Sequence, residues 1–132
     1  MIKPAIIHVR YSDLDVMGHV NNSVYLTYFE MARVHYFGTF LGRDWDWKKD
    51  GIILVKNEIE YLRPVFLHDR PEITVTTSHI GTKSFILDYT VVVEGKLCAK
   101  GKSTLVAFDT EKNATVVVPD GMRSMLESLI EE

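Results

Sequence analysis

The spacing of apolar residues changes character along the chain, and each change predicts an element. AIIHVRY (5–11) is a short apolar run with β-branched residues and reads as a strand. From Val24 the period lengthens. Tyr25, Tyr28, Phe29, Ala32, Tyr36 and Phe40 recur at three- and four-residue steps, which places them on one stripe of a helix. Thr27, Glu30 and Arg33 fall largely on the other side. Asn21, Asn22 and Ser23 carry N-cap chemistry ahead of the stripe and Gly42 supplies a stop, so the helix runs for roughly 18–20 residues, ~27–30 Å.

RDWDWKKDG (43–51) is a polar loop holding two tryptophans, and beyond it the pattern alternates with period two. IILVKNEIEYLRP (52–64), EITVTTSHI (72–80), SFILDYTVVVE (84–94) and KLCAKGKSTLVAFD (96–109) predict strands. The first ends at Arg63-Pro64, where proline removes a ladder donor. The connections HDRP, GTK and Gly95 are short enough for antiparallel hairpins and too short for parallel crossovers. ATVVV (114–118) reads as a last short strand, and Pro119-Asp120-Gly121 opens a helix carrying Met122, Met125, Leu126, Leu129 and Ile130.

Strand, long helix, four or five antiparallel strands and a short helix make an α+β chain, organised as one domain over residues 1–132. FILDYTVVV leaves an apolar surplus. Phe85, Leu87, Tyr89, Val91 and Val93 alternate with Ile86 and Val92, and one helix covers only one face of a sheet. An outer face or an edge is therefore expected to meet another subunit, giving a homo-oligomer.

Composition narrows the classes. Hydrophobic content of 46% and a net charge of −3 fit a globular protein with no general attraction to nucleic acid or to an anionic membrane surface. Cys98 is the only cysteine, so neither an intramolecular disulfide nor a cysteine metal knuckle can form. MIKPAIIHVR lacks the basic-then-apolar run of a signal peptide, and no stretch approaches the ~18 apolar residues of a membrane span. A cytoplasmic protein is expected.

The chemistry concentrates in SDLDVMGHVNNS (12–23). A helix N-terminus exposes unpaired N–H groups and about half a positive charge, suited to a carbonyl oxygen becoming an oxyanion. Gly18 allows a tight turn just before it. Asp13 and Asp15, two apart, face the same way on an extended segment. A carboxylate with oxyanion donors is the minimum kit for acyl transfer to water. Blander roles compete for the same residues. An acid before a helix is ordinarily a cap or dipole partner. Asp-x-Asp-x-x-x-His offers metal ligands, although no second cluster accompanies it. His19 suits a hydrogen-bonding turn better than a general base, and Tyr25 near the helix start serves as core or as pocket wall. On these residues alone the function stays open.

D-x-D-x-x-G-H-V-N-N-x-x-Y-L, Asp13 to Leu26, resembles the signature of the hotdog-fold acyl-CoA thioesterases. The similar proteins are the 4-hydroxybenzoyl-CoA thioesterase family and especially its long-chain acyl-CoA thioesterase branch. VKNEIEYLRPVFLHD (55–69), GTKSFILDY (81–89) and AKGKSTLVAFD (99–109) resemble the family in order and spacing, so the likeness covers nearly the whole chain. It implies a hotdog fold, a long central helix wrapped by a curved antiparallel sheet of five to six strands with a short C-terminal helix. It also implies a homodimer or dimer-of-dimers tetramer with active sites at subunit interfaces. The family's catalytic carboxylate falls on Asp15, its glycine on Gly18, and its helix-start amides on Val20, Asn21 and Asn22. His19 and Tyr25 join the substrate-binding set. Lys83 and Ser84 fall on a turn that contacts coenzyme A in relatives, with Lys83 the one basic residue there, and Asn57 falls on a polar strand position facing the site.

The implied reaction is hydrolysis of acyl-CoA to free acid and coenzyme A, with no cofactor, no metal, and neither nucleic acid nor membrane as partner. Thioesters of acyl carrier protein are an alternative substrate. A non-catalytic acyl-CoA binding module and a hydroxyacyl-thioester dehydratase are rival readings; the latter needs an acid/base pair whose motif His8 and His19 do not match.

Overall fold

The computed structural model describes residues 2–131. Two strand residues, β1 (Ala5–Ile6), precede a 3-10 turn at Tyr11–Asp13 and the long helix α1 (Val24–Leu41). Then come β2 (Gly51–Tyr61), β3 (Glu72–Ile80), β4 (Ser84–Val93), β5 (Lys96–Asp109), β6 (Ala114–Thr115) and α2 (Asp120–Ser128). All strand pairs are antiparallel, in the order β1-β3-β4-β5-β2, with β6 paired to the end of β5. β2 is thus an edge. No described helix is long and apolar enough to cross a membrane.

The registers sort the strands into rows across the inner face, where α1 lies. Ile73, Val91, Ala99 and Tyr61 form one row, and Val75, Tyr89, Gly101 and Ile59 the next. Thr77, Leu87, Ser103 and Asn57 follow, then Ile80, Phe85, Leu105 and Leu54. Phe29 of α1 stacks on Tyr89 with ring centroids 4.2 Å apart. Gly101 makes that approach possible, because a Cβ there would stand 2.5 Å from the Phe29 ring edge. α2 seals one end, burying Met122, Met125 and Leu126 completely. The β4–β5 hairpin turns on Glu94 and Gly95, both with positive φ (49° and 78°), the geometry of a two-residue primed turn.

Most predicted boundaries hold within a residue or two, and α1 ends at Gly42 (φ 82°) as expected. Several expectations change. The first strand is only two residues long, because it finds partners only at Glu72 and Ile73. On α1, Phe37 takes the buried place expected for Phe40, which is 45% exposed. Arg33, assigned to the outer side, is instead buried at 7% exposure. The apolar surplus of β4 is also smaller than its pattern suggested. Ile86 and Val92 are half-buried among Thr74, Thr90, Lys100, Lys102 and Thr104, while exposed apolar residues gather on the β2 edge at Ile53, Leu54 and Val55.

Candidate active site

Residues 14–20 form a closed loop ahead of α1. Leu14 bridges Val20, the Asp15 N–H donates to the His19 carbonyl (2.8 Å), and the Gly18 N–H donates to the Asp15 carbonyl (3.0 Å). Gly18 has φ +78° at this turn, a conformation other residues adopt only with strain. Asp15 Oδ1 accepts the N–H groups of Met17 (2.9 Å) and His19 (3.3 Å), while Oδ2 has no donor among the described residues. One carboxylate oxygen is held and the other is available.

Asp13 differs in every respect. It is 2% exposed, and its carboxylate accepts from the Arg10 N–H (3.0 Å), the Arg10 guanidinium (3.1 Å) and the Tyr28 hydroxyl (2.7 Å). Burial works to raise the Asp13 pKa, but those hydrogen bonds and the Arg10 charge outweigh it and hold the group below its ordinary value. Asp13 is committed to the fold.

The backbone amides separate in the same way. The Val20 N–H donates to the Val65 carbonyl (2.8 Å) and the Asn21 N–H to the Asp13 carbonyl (2.8 Å), so neither is open to a substrate. The Ser23 N–H is taken by Asn21 Oδ1 (3.0 Å) and the Val24 N–H by the Asn21 carbonyl (2.9 Å). Between Val20 and Val24, only the Asn22 N–H lacks an acceptor among the described residues. The expected trio of amides narrows to one.

Asp15, His19, Val20, Asn22 and Tyr25 meet in a cavity of about 280 Å³ with Tyr61, Leu62, Arg63 and Pro64. Among the described residues, Asp15 is its only carboxylate. The second group was missed in the sequence, where it read only as the end of a strand. Leu62 and Arg63 both donate their N–H groups to the Cys98 carbonyl (2.8 and 2.9 Å), a local irregularity that turns the chain over the cavity. Tyr61 donates its hydroxyl to the Asn22 carbonyl (2.8 Å) and packs edge-on to Tyr25 at 5.1 Å. Burial, with smaller contributions from Cys98 and Tyr61, pushes the Tyr25 phenol up to about 12, and burial raises Tyr61 as well. Both hydroxyls are therefore protonated at neutral pH. His19 stacks edge-on to Phe66 at 5.1 Å.

Gly18 shapes the loop without lining the cavity. Asn57 lies on the inner row of β2 and accepts a hydrogen bond from the Ser103 hydroxyl. Lys83 and Ser84 stand at the opposite end of the sheet from Tyr61. Ser84 pairs with Val106, whereas Val91 is the residue in the Tyr61 row, and seven residues of strand span about 23 Å.

The sequence profile of the thioesterase-like superfamily matches residues 9–126. The long-chain acyl-CoA thioesterase FadM of Escherichia coli is 30% identical over 129 residues, covering 94% of this chain and 96% of FadM. A thioesterase from Thermus thermophilus, solved with coenzyme A and zinc, is 33% identical, with a TM-score of 0.83 over 96% of this chain and 92% of its own. The fold recurs in a predicted thioesterase from Bacillus stearothermophilus, TM-score 0.87 at 23% identity, over 98% of this chain and 97% of that one. A curved antiparallel sheet around one long helix, matched in both sequence and structure along almost its whole length, makes this chain a hotdog-fold member of the thioesterase-like superfamily.

Proposed function

We propose that the protein hydrolyses acyl-CoA thioesters to a free acid and coenzyme A, with Asp15 as the working carboxylate and the Asn22 N–H as the donor to the carbonyl oxygen. The observation that carries this reading is the pairing in one cavity of a half-free carboxylate with the one unspent amide at the start of α1. Asp15 acts on the thioester carbon directly or through a water. In the water route, the proton moves to Asp15 as oxygen bonds to carbon, the negative charge collects on the carbonyl oxygen beside Asn22, and the C–S bond breaks. The departing sulfur takes the proton back. A preorganised N–H at a helix N-terminus favours that oxyanion over the ground-state carbonyl.

The working unit on this reading is a homodimer or a dimer of dimers. β2 is an unpaired edge, and its Ile53, Leu54 and Val55 are 42%, 42% and 61% exposed. Since Lys83 and Ser84 lie about 23 Å from the Tyr61 row of their own protomer, the coenzyme A contact expected of them is supplied by a second copy. A buried free thiol at Cys98 and a coenzyme A substrate suit the cytoplasm.

A thiol-release assay over acyl-CoA esters of graded chain length tests the reaction. Release that is lost in Asp15→Asn supports it. Binding of the esters with no release at any length would replace the hydrolase with a sensor.

A further inference from the structure

Helix α1 buries one charge that the proposed reaction does not use. Arg33 is 7% exposed, and its Nη1 donates to the Tyr89 hydroxyl at 2.9 Å. The ion pairs among the described residues are Arg10–Asp13, Lys56–Glu58, Lys100–Glu60 and Lys102–Asp88, so Arg33 has no carboxylate of its own. A buried guanidinium whose described side-chain partner is a hydroxyl and not a carboxylate is unusual, because the cost of removing a charge from water is ordinarily offset by an anion. Its remaining donors are not sealed inside the core. The only described side-chain polar atom shut off from solvent without a partner is Thr77 Oγ1.

Arg33 lines a cavity of about 420 Å³ together with Phe37, Trp47, Ile52, Leu54 and Leu105. Glu30, one turn back on α1, borders the same space but stands beyond ion-pair distance. Glu30 is exposed and its charge is solvated, so Arg33 is the buried charge in a largely apolar wall, which suits a hydrocarbon chain that ends in an oxygen anion. This cavity shares no lining residue with the Asp15 cavity but is bounded by the same two elements. Both border α1 and β2, the first at Tyr25 and Tyr61, the second at Arg33 and Leu54. Arg33 is eight residues beyond Tyr25, about 12 Å along the helix axis.

We infer that Arg33 determines acyl specificity by binding a carboxylate at the far end of the acyl group, so that the preferred substrates are medium-length ω-carboxyacyl thioesters. The inference rests on the hydrolase reading above. Tyr89 is the positioning residue that holds the guanidinium toward the cavity.

The test compares coenzyme A esters matched in chain length, plain against ω-carboxylated, by kcat/KM for thiol release. Wild-type protein is expected to favour the carboxylated ester about tenfold or more at one intermediate length, the effect of one charged hydrogen bond. Arg33→Met should abolish that ratio, Arg33→Lys should retain part of it, and Tyr89→Phe should weaken it less than Arg33→Met. Calorimetric titration of Asp15→Asn with the same pairs reads the preference as affinity, independently of turnover. The wild-type comparison and Tyr89→Phe decide the matter even if Arg33→Met does not fold. Equal rates on both esters at every length would overturn the inference while leaving the hydrolase standing. Equal loss on both esters in Arg33→Met, with a fall in oligomer mass, would also overturn it by assigning Arg33 to a contact between copies.

Discussion

The Tyr28 hydroxyl and the Asp13 carboxylate lie 2.7 Å apart, joining the first turns of α1 to the loop that precedes them. Burial and then the Asp13 carboxylate raise the Tyr28 pKa above its ordinary value, so Tyr28 is the donor throughout the neutral range. Asp13 moves the other way. A carboxylate whose folded pKa is depressed stabilises the fold above its unfolded pKa of ~3.9 and loses that contribution as pH falls through the lower folded value. Asp13→Asn is expected to cost about 2–3 kcal/mol at neutral pH, since three donors lose a charged acceptor. Urea unfolding at pH 7 and at pH 3 should show the gap between variant and wild type shrinking in acid; a gap that grows in acid contradicts the assignment.

Asp15→Asn should leave folding nearly intact, because Asp15 is only partly buried and one of its oxygens is uncommitted. Turnover should fall by about 10²–10⁴, the range for a positioned acid or base. Circular dichroism melts beside thiol-release rates check both halves. Rapid-quench trapping of a labelled acyl group then separates the two routes, as only direct attack by Asp15 leaves the label on the protein.

Tyr61→Phe removes the hydroxyl that fixes the Asn22 carbonyl and, through the chain, the neighbouring N–H. A lowering of kcat by about tenfold with little change in KM is expected if the donor serves the transition state. A rise in KM alone would make Tyr61 a wall of the cavity and nothing more.

Gly101→Ala introduces a Cβ 2.5 Å from the Phe29 ring and 3.1 Å from the Glu58 carbonyl. Neither the stacked ring nor the strand backbone can give way cheaply, so a loss of about 1–3 kcal/mol is expected. Gly18→Ala meets nothing within 4 Å and suffers only from φ +78°, a cost of roughly 1–2 kcal/mol. Its stability loss should be accompanied by lower turnover, because the loop it strains holds Asp15. Denaturant midpoints and rates on the two variants distinguish packing from loop geometry.

Val55→Lys places a charge at the bulge of the β2 edge, where Val55 is 61% exposed. If copies join through that edge, light scattering should show a shift toward monomer, and activity should fall with it. An unchanged mass would move the interface elsewhere.

Local pattern was sufficient wherever a residue's fate depends on near neighbours in the chain. Alternation set β3 at Glu72–Ile80 and β5 at Lys96–Asp109, and the aromatic spacing with Gly42 set the length of α1. Resemblance to the family singled out Asp15, which the residues alone left level with Asp13. Only tertiary structure separates the two carboxylates physically, because Asp13 is occupied by Tyr28, fifteen residues away, and by Arg10. Distance along the chain also hid the spent amides, since Val20 donates to Val65. Arg33 belongs with them. Helical spacing gave it a direction, but its burial depends on Tyr89 and the sheet beneath, and hydrogen bonds between distant strands and helices leave no period in a sequence.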